Sequence, residues 1–242
     1  MTMPLRYIPR IDIKGFHAVK GVQLEGLRVV GDPHDLALKY YEQGADELIF
    51  MDIVASLYNR KIKSDVLIRA VKDIFIPIII GGGIRTLDDA SHLFRIGADK
   101  VAVNTAAIKR PQLLKEISNH FGAQSLVLSV EAKKQGSIWE AYINNGRDKT
   151  GLNIVDWIAY AETLGVGEIL LTSIDYEGTL SSLDFELIET ISPLVSVPLM
   201  ICGGLGEPNQ LTPLIQKAKI DAVVLSSLLH YNRCKISDLK VI

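Results

Sequence analysis

Two segments of this chain repeat one local pattern 121 residues apart, which is half of its 242-residue length. The first is Pro77-Ile78-Ile79-Ile80-Gly81-Gly82-Gly83-Ile84, and the second is Pro198-Leu199-Met200-Ile201-Cys202-Gly203-Gly204-Leu205. A short apolar run of this kind reads as a strand buried on both faces. The glycines at its C-terminal end carry no Cβ, so backbone N–H groups can approach something bulky and anionic. After the first copy, Thr86 fits a helix N-cap with Asp89 three residues on. Strand, glycines and helix N-terminus together make a phosphate cradle. One copy alone is equally consistent with a tight βα turn; two copies favour a pair of cradles.

Other segments echo at nearly the same distance. Ala98 to Thr105 resembles Ile220 to Ser227, Gly44 to Met51 resembles Gly165 to Thr172, and Pro9 to Asp12 answers Leu128 to Glu131. A period this long is not that of a solenoid. It predicts one half-unit duplicated and fused, with halves of about 1–121 and 122–242 inside a single domain spanning 1–242.

The strand rhythm supports that reading. Apolar runs near 5–13, 47–52, 77–80, 99–103, 125–130, 168–172, 198–202 and 221–225 alternate with helical patterns near 33–43, 62–73, 86–95, 110–120, 153–164, 183–191 and 207–217. Eight such units predict a closed parallel (β/α)8 barrel, with an open doubly wound sheet as the alternative. Lys14 to Gly31, with four glycines, reads as a long loop and a mobile lid. The alternating Trp139, Ala141 and Ile143 predict a hairpin within the fifth βα loop.

Barrel chemistry gathers at the C-terminal ends of the strands. Those ends offer Asp12, Asp52, Gly82 with Gly83, Asn104 with Thr105, Glu131, Thr172 with Ser173 and Asp175, Gly203 with Gly204, and Ser226 with Ser227. Small residues on the third, fourth, seventh and eighth strands predict two anion sites on opposite sides of the mouth, suited to a substrate with a phosphate at each end. Asp12 and Glu131 stand between them as candidates for general acid–base work. At the other end, Arg6, Glu47, Lys100 and Glu168 open strands one, two, four and six. Two cations and two anions there predict a neutral ring across the barrel floor, by its position a stabilising plug.

The net charge of −2 gives no reason to expect nucleic-acid or membrane binding. Two cysteines, Cys202 and Cys234, are too few for a disulfide framework and fit a reducing cytoplasm. No apolar run follows Met1, so no signal peptide is expected, and no stretch has the length of a membrane span. Neither a cofactor nor a metal site is expected.

Taken together, these motifs resemble the HisF-type cyclase family, the synthase subunits of imidazole glycerol phosphate synthase, from about Arg6 to Tyr231. Lys20-Gly21, Gly31-Asp32-Pro33, Asp46-Glu47-Leu48, Gly81-Gly82-Gly83-Ile84, Val103-Asn104-Thr105-Ala106-Ala107 and Gly167 to Asp175 carry the resemblance. The last separates it from the isomerase relative HisA, whose sixth strand usually ends Thr-Asp; only Arg85 looks more like the isomerase. The resemblance implies a reaction joining ammonia to phosphoribulosyl-formimino aminoimidazole carboxamide ribonucleotide (PRFAR), yielding imidazole glycerol phosphate and aminoimidazole carboxamide ribonucleotide. It implies a glutaminase subunit (HisH-like) docked at the N-terminal face, with ammonia passing through the barrel. On that basis Arg6, Glu47, Lys100 and Glu168 become a gate, Asp99 an interface residue, Asp12 a catalytic acid or base and Lys20 a lid lysine. Three positions depart from the family pattern: Glu131 and Glu177 replace aspartates, the latter beside Gly178, and Cys202 replaces a serine near the second cradle. A carboxylate moved by one methylene shifts about 1.5 Å. The departures leave open a related role, feeding ammonia to acetamidino-sugar formation in surface polysaccharide synthesis. A non-catalytic subunit that activates a glutaminase is the further alternative.

Overall fold

The computed structural model describes residues 4–241. Strand β1 (Arg6–Lys14) leads into a hairpin of β2 (His17–Val22) and β3 (Glu25–Gly31), then helix α1 (Pro33–Glu42). There follow β4 (Leu48–Asp52), α2 (Ser64–Val71), β5 (Ile78–Gly81), α3 (Leu87–Arg95), β6 (Lys100–Val103), α4 (Thr105–Lys109) and α5 (Gln112–Phe121). Next come β7 (Leu126–Gln135), the hairpin strands β8 (Ile138–Ile143) and β9 (Asp148–Asn153), α6 (Ile154–Thr163), β10 (Glu168–Ser173) and α7 (Phe185–Ile191). The chain finishes with β11 (Leu199–Cys202), α8 (Leu211–Lys217), β12 (Ala222–Leu225), α9 (Ser227–His230) and α10 (Ile236–Leu239).

Eight strands pair in parallel in the order β1-β4-β5-β6-β7-β10-β11-β12, and β12 returns to β1 with Ile8 opposite Val224. The sheet is therefore closed, a (β/α)8 barrel and not an open doubly wound sheet. Alternation along each strand sorts its side chains into two cores. Ile8, Ile49, Ile79, Ala102, Val127, Leu170, Met200 and Ala222, one from each barrel strand, fill the interior. The opposite faces, such as Phe50, Ile80, Leu128 and Leu171, pack against helix residues including Leu67, Leu93, Trp157 and Leu187.

Local chemistry sets the element ends. The Asp32 carboxylate accepts N–H bonds from His34 and Asp35 ahead of Pro33, and Thr86 with Asp89 forms the capping box of α3. The helix expected near 110–120 is present as α5, and a further short helix, α4, precedes it. Pro111 disfavours the α region for the residue before it, and Arg110 accordingly adopts φ −146° and ψ 82°, ending α4 before α5 begins. The hairpin expected after the fifth strand is present as β7–β8–β9.

The segment expected as a long mobile loop, Lys14 to Gly31, is instead the β2–β3 hairpin, which extends β1 with Asp12 opposite Val19. Its fixed anchors explain the order. The Gln23 N–H donates to the Glu177 carbonyl at 2.6 Å and Gln23 Nε2 to the Asp175 carbonyl at 2.9 Å, while the Asn145 side chain holds the Leu24 carbonyl.

Candidate active site

The two glycine segments have nearly the same backbone. Gly82 and Gly83 adopt φ of 99° and 71°, and Gly203 and Gly204 adopt 110° and 95°. These are left-handed conformations that an L side chain rarely enters. A Cβ on Gly82 would lie 2.2 Å from the Asp52 carbonyl oxygen, and one on Gly204 only 1.8 Å from that of Ser182. The residues capping the next strands match as well: Asn104 has φ −123° and ψ −85°, Ser226 φ −134° and ψ −89°. Behind the strands, the Asp99 carboxylate accepts the Ile78 N–H and the Asp221 carboxylate the Leu199 N–H, each at 2.8 Å.

The cradles nevertheless differ in what fills them. The first opens into a cavity of about 270 Å³ lined by Gly82, Gly83, Asn104, Thr105 and Glu131, with Arg85, Lys109 and Arg110 on its border. Asn104 Nδ2 donates to the Tyr142 carbonyl at 3.1 Å while its buried Oδ1 has no partner, and the Thr105 hydroxyl accepts the Asn144 N–H at 3.0 Å. The second cradle, lined by Cys202, Gly203, Gly204, Ser226, Ser227, Glu177, Gly178 and Leu180, encloses about 20 Å³, room for little more than a water. The buried Ser227 hydroxyl has no partner, whereas Ser226 donates to the Arg10 carbonyl at 3.0 Å. Glu177 has one carboxylate oxygen 3.5 Å from the Cys202 sulfur and the other on Lys20. An anion of the chain itself thus borders the second cradle.

Between the cradles is a buried charge cluster. Asp12, Lys20 and Glu177 are each no more than 3% exposed. Asp12 accepts from Arg10 Nε at 2.7 Å and lies 3.6 Å from Lys20 Nζ, which also pairs with Glu177. Burial works to raise the Asp12 pKa, but Arg10 and then Lys20 outweigh it and hold the carboxyl below its ordinary value. Glu131 goes the other way. Burial pushes it up to about 7 against the pull of a 2.8 Å bond from the Gly146 N–H and of the Arg10 charge. Two carboxyls in one site with their pKa values driven apart are suited to separate acid and base roles. Burial, with Glu177 adding, raises the Cys202 thiol to about 12, so it stays protonated and unreactive.

The remaining positions are distributed as follows. Glu131 lines the open cavity, while Asp12 lines neither cradle cavity and sits beneath Lys20. Thr172 is fully buried on β10, with its hydroxyl 3.5 Å from Arg10 Nη1. Asp175 lies apart, its carboxylate accepting the Lys134 N–H at 2.9 Å. At the floor, Arg6 bridges Glu47 and Glu168, and Lys100 reaches the same two carboxylates at 2.9 and 2.8 Å. The four therefore close into a ring of alternating charge.

The motif reading passed over one residue of this centre. Arg10 is only 2% exposed and takes the inward parity of β1 between Ile8 and Asp12. The signal was an arginine at an inward position in the middle of a buried strand. Such a residue is costly unless a partner waits for it.

Buried carboxyls at the strand C-termini of a closed barrel, beside paired glycine turns, define a (β/α)8 enzyme. A family model described as histidine biosynthesis protein matches residues 6–235, and the chain belongs to that family. It is similar to the imidazole glycerol phosphate synthase subunit HisF of Legionella pneumophila, 53% identical over 204 residues covering 84% of this chain and 96% of the relative. The subunit of the same name from Thermobifida fusca is 43% identical over 246 residues, covering 99% and 96% of the two chains. That of Dehalococcoides mccartyi strain CBDB1 is 42% identical over 235 residues, covering 97% and 93%. By name, these relatives are parts of larger assemblies. No helix among the described residues is long and apolar enough to cross a membrane.

Proposed function

We propose that this chain is the cyclase subunit of imidazole glycerol phosphate synthase in histidine biosynthesis, closing the imidazole ring from PRFAR and ammonia. The observation that carries the reading is the carboxyl pair. Asp12 is held ionised and Glu131 is poised near neutrality between two anion cradles. Ring formation needs protons taken from the ammonia nitrogen as it condenses with the substrate carbonyl and closes on the formimino carbon, and protons given to the oxygen that leaves as water and to the amine nitrogen that leaves with aminoimidazole carboxamide ribonucleotide. Asp12 suits the first task as base and Glu131 the second as acid. Gly82, Gly83, Asn104 and Thr105 would hold one phosphate. Gly203, Gly204, Ser226 and Ser227, with Gly178 beside them, would hold the other once Lys20 and Glu177 give way. Thr172, Cys202 and Asp175 would support the floor and rim of that half.

The reading extends to assembly. A glutaminase subunit docks at the N-terminal face, and the ring of Arg6, Glu47, Lys100 and Glu168 gates ammonia entering the barrel, in the cytoplasm. The chain is then one domain of two half-barrels, about 1–121 and 122–242, each supplying one cradle and one carboxyl. The matched backbone at Gly82–Gly83 and Gly203–Gly204 supports this. The test is to incubate the purified protein with PRFAR and an ammonium salt at mildly alkaline pH and follow the loss of substrate absorbance. Asp12→Asn is expected to lower turnover by about 10²–10⁴-fold. Wild-type turnover no greater than that of the variant would overturn the assignment. The filled second cradle favours one other reading, in which ammonia goes to an acceptor with a single phosphate; rescue of a histidine auxotroph by this chain would exclude it.

A further inference from the structure

Arg10 is as fully buried as Lys20 and Glu177, and its contacts are lopsided. Nε gives a 2.7 Å bond to Asp12, whereas Nη1 reaches Thr172 at 3.5 Å and the Cys202 sulfur at 3.9 Å. The arginine lines neither cradle cavity, so it does not face the space where a substrate would lie. What it can act on is Asp12.

Two cations serve that carboxylate, and they belong to different parts of the fold. Lys20 rides on β2 of the hairpin and divides its charge between Asp12 and Glu177. Arg10 is built into barrel strand β1, paired on both sides by β12 and β4. Asp12 is buried beneath Lys20, so a substrate can reach it only when the hairpin and its lysine move aside. At that moment Lys20 withdraws, and a carboxylate losing its only cation in such a place would take up a proton or swing away.

We propose that Arg10 is a positioning residue that keeps Asp12 charged and aimed while the β2–β3 hairpin lifts Lys20 away. The groups facing Asp12 from the packed elements are Lys20 from β2, Glu131 from β7, Glu177 from beyond β10, Cys202 from β11 and His230 from α9. Glu177 is a carboxylate drawn to the same Lys20, and Glu131, raised to about 7 by burial, is only partly ionised at neutral pH. Cys202 is held neutral, and burial first, then Lys20, lowers His230 to about 4, so it too is uncharged at neutral pH. With Lys20 removed, Arg10 is the cation that still pairs with Asp12.

The proposal rests on Asp12 being the base of the reaction proposed above, and its test separates the two. The full chain, labelled with ¹³C at the aspartate carboxyls, is titrated by NMR as wild type, Arg10→Met, Arg10→Gln and Arg10→Lys. Loss of the guanidinium is expected to raise the Asp12 midpoint by about 1–3 pH units, and Arg10→Lys to recover most of that rise. The acid limb of kcat/KM with PRFAR and ammonium should move by the same amount. Arg10→Gln keeps a hydrogen-bond donor beside Asp12 and stands in should the methionine variant not fold. An Asp12 midpoint unchanged in a folded, uncharged variant overturns the role of Arg10. A shifted midpoint in a wild-type protein without PRFAR turnover upholds that role and overturns the cyclase assignment alone.

Discussion

The first and second cradles share a backbone and differ in occupancy. Their glycines and capping residues take similar backbone angles and their aspartates make matching bonds, yet one opens on about 270 Å³ and the other on about 20 Å³. The difference is made entirely by what leans in. The segment after β10 brings Glu177 to the Cys202 sulfur and the Ser182 carbonyl over Gly204, and Lys20 ties the hairpin to that same segment. A repeated backbone therefore shapes two similar turns, and side chains from elsewhere decide which of them opens on a cavity.

The largest effect that would break this comparison is removal of the resident anion. Glu177→Gln keeps the shape and deletes the charge, leaving Lys20 with Asp12 at 3.6 Å as its remaining partner. Taking one member from a buried ion pair costs about 3–5 kcal/mol, to be read from urea unfolding. Inorganic phosphate should restore part of the loss in the variant and add less to wild type, because only the variant leaves the second cradle without an anion. Equal stabilisation of both proteins would mean that Glu177 does not stand in a phosphate's place.

Next in size is the carboxyl bordering the open cradle. Folding raises Glu131 from 4.5 to about 7, so the folded state retains a proton that the unfolded chain gives up in that window, and stability falls as pH rises through it. Glu131→Gln removes this dependence. Variant and wild type should unfold alike at pH 4, and at pH 8 the variant should be more stable by roughly 3 kcal/mol, at 1.36 kcal/mol per pH unit. It should also lose turnover. A flat difference across pH would show that the carboxyl is not held protonated.

The smallest effect compares hydroxyls at equivalent places. Thr105→Val leaves the Asn144 N–H without its acceptor and should cost about 1 kcal/mol, whereas Ser227→Ala deletes a buried hydroxyl that has no partner and should cost under about 0.5 kcal/mol. Thermal unfolding of both variants at one pH resolves the pair.

What the chain disclosed in advance follows the range of the interactions involved. Strands, caps and glycine turns are written locally. Pro33 after Asp32, Asp89 after Thr86 and the alternation at Trp139, Ala141 and Ile143 each name their own structure. The β2–β3 hairpin was hidden because four glycines and scattered charges in Lys14 to Gly31 suggest coil, while its anchors come from residues about 120 to 150 positions away. Closure of the second cradle was hidden for the same reason, since nothing near Gly203 announces Glu177 or Ser182. Arg10 was legible in principle from strand parity, but it lies two residues before Asp12, inside the strand and away from the end where barrel chemistry gathers.

The floor ring has a consequence for how this end of the barrel holds together. Each of Glu47 and Glu168 is shared by Arg6 and Lys100, and each cation holds both carboxylates. Such a square has no weak side: releasing any one corner leaves its two neighbours half-compensated, which favours release of the whole. Opening this floor therefore costs the ring as a whole and not one contact at a time.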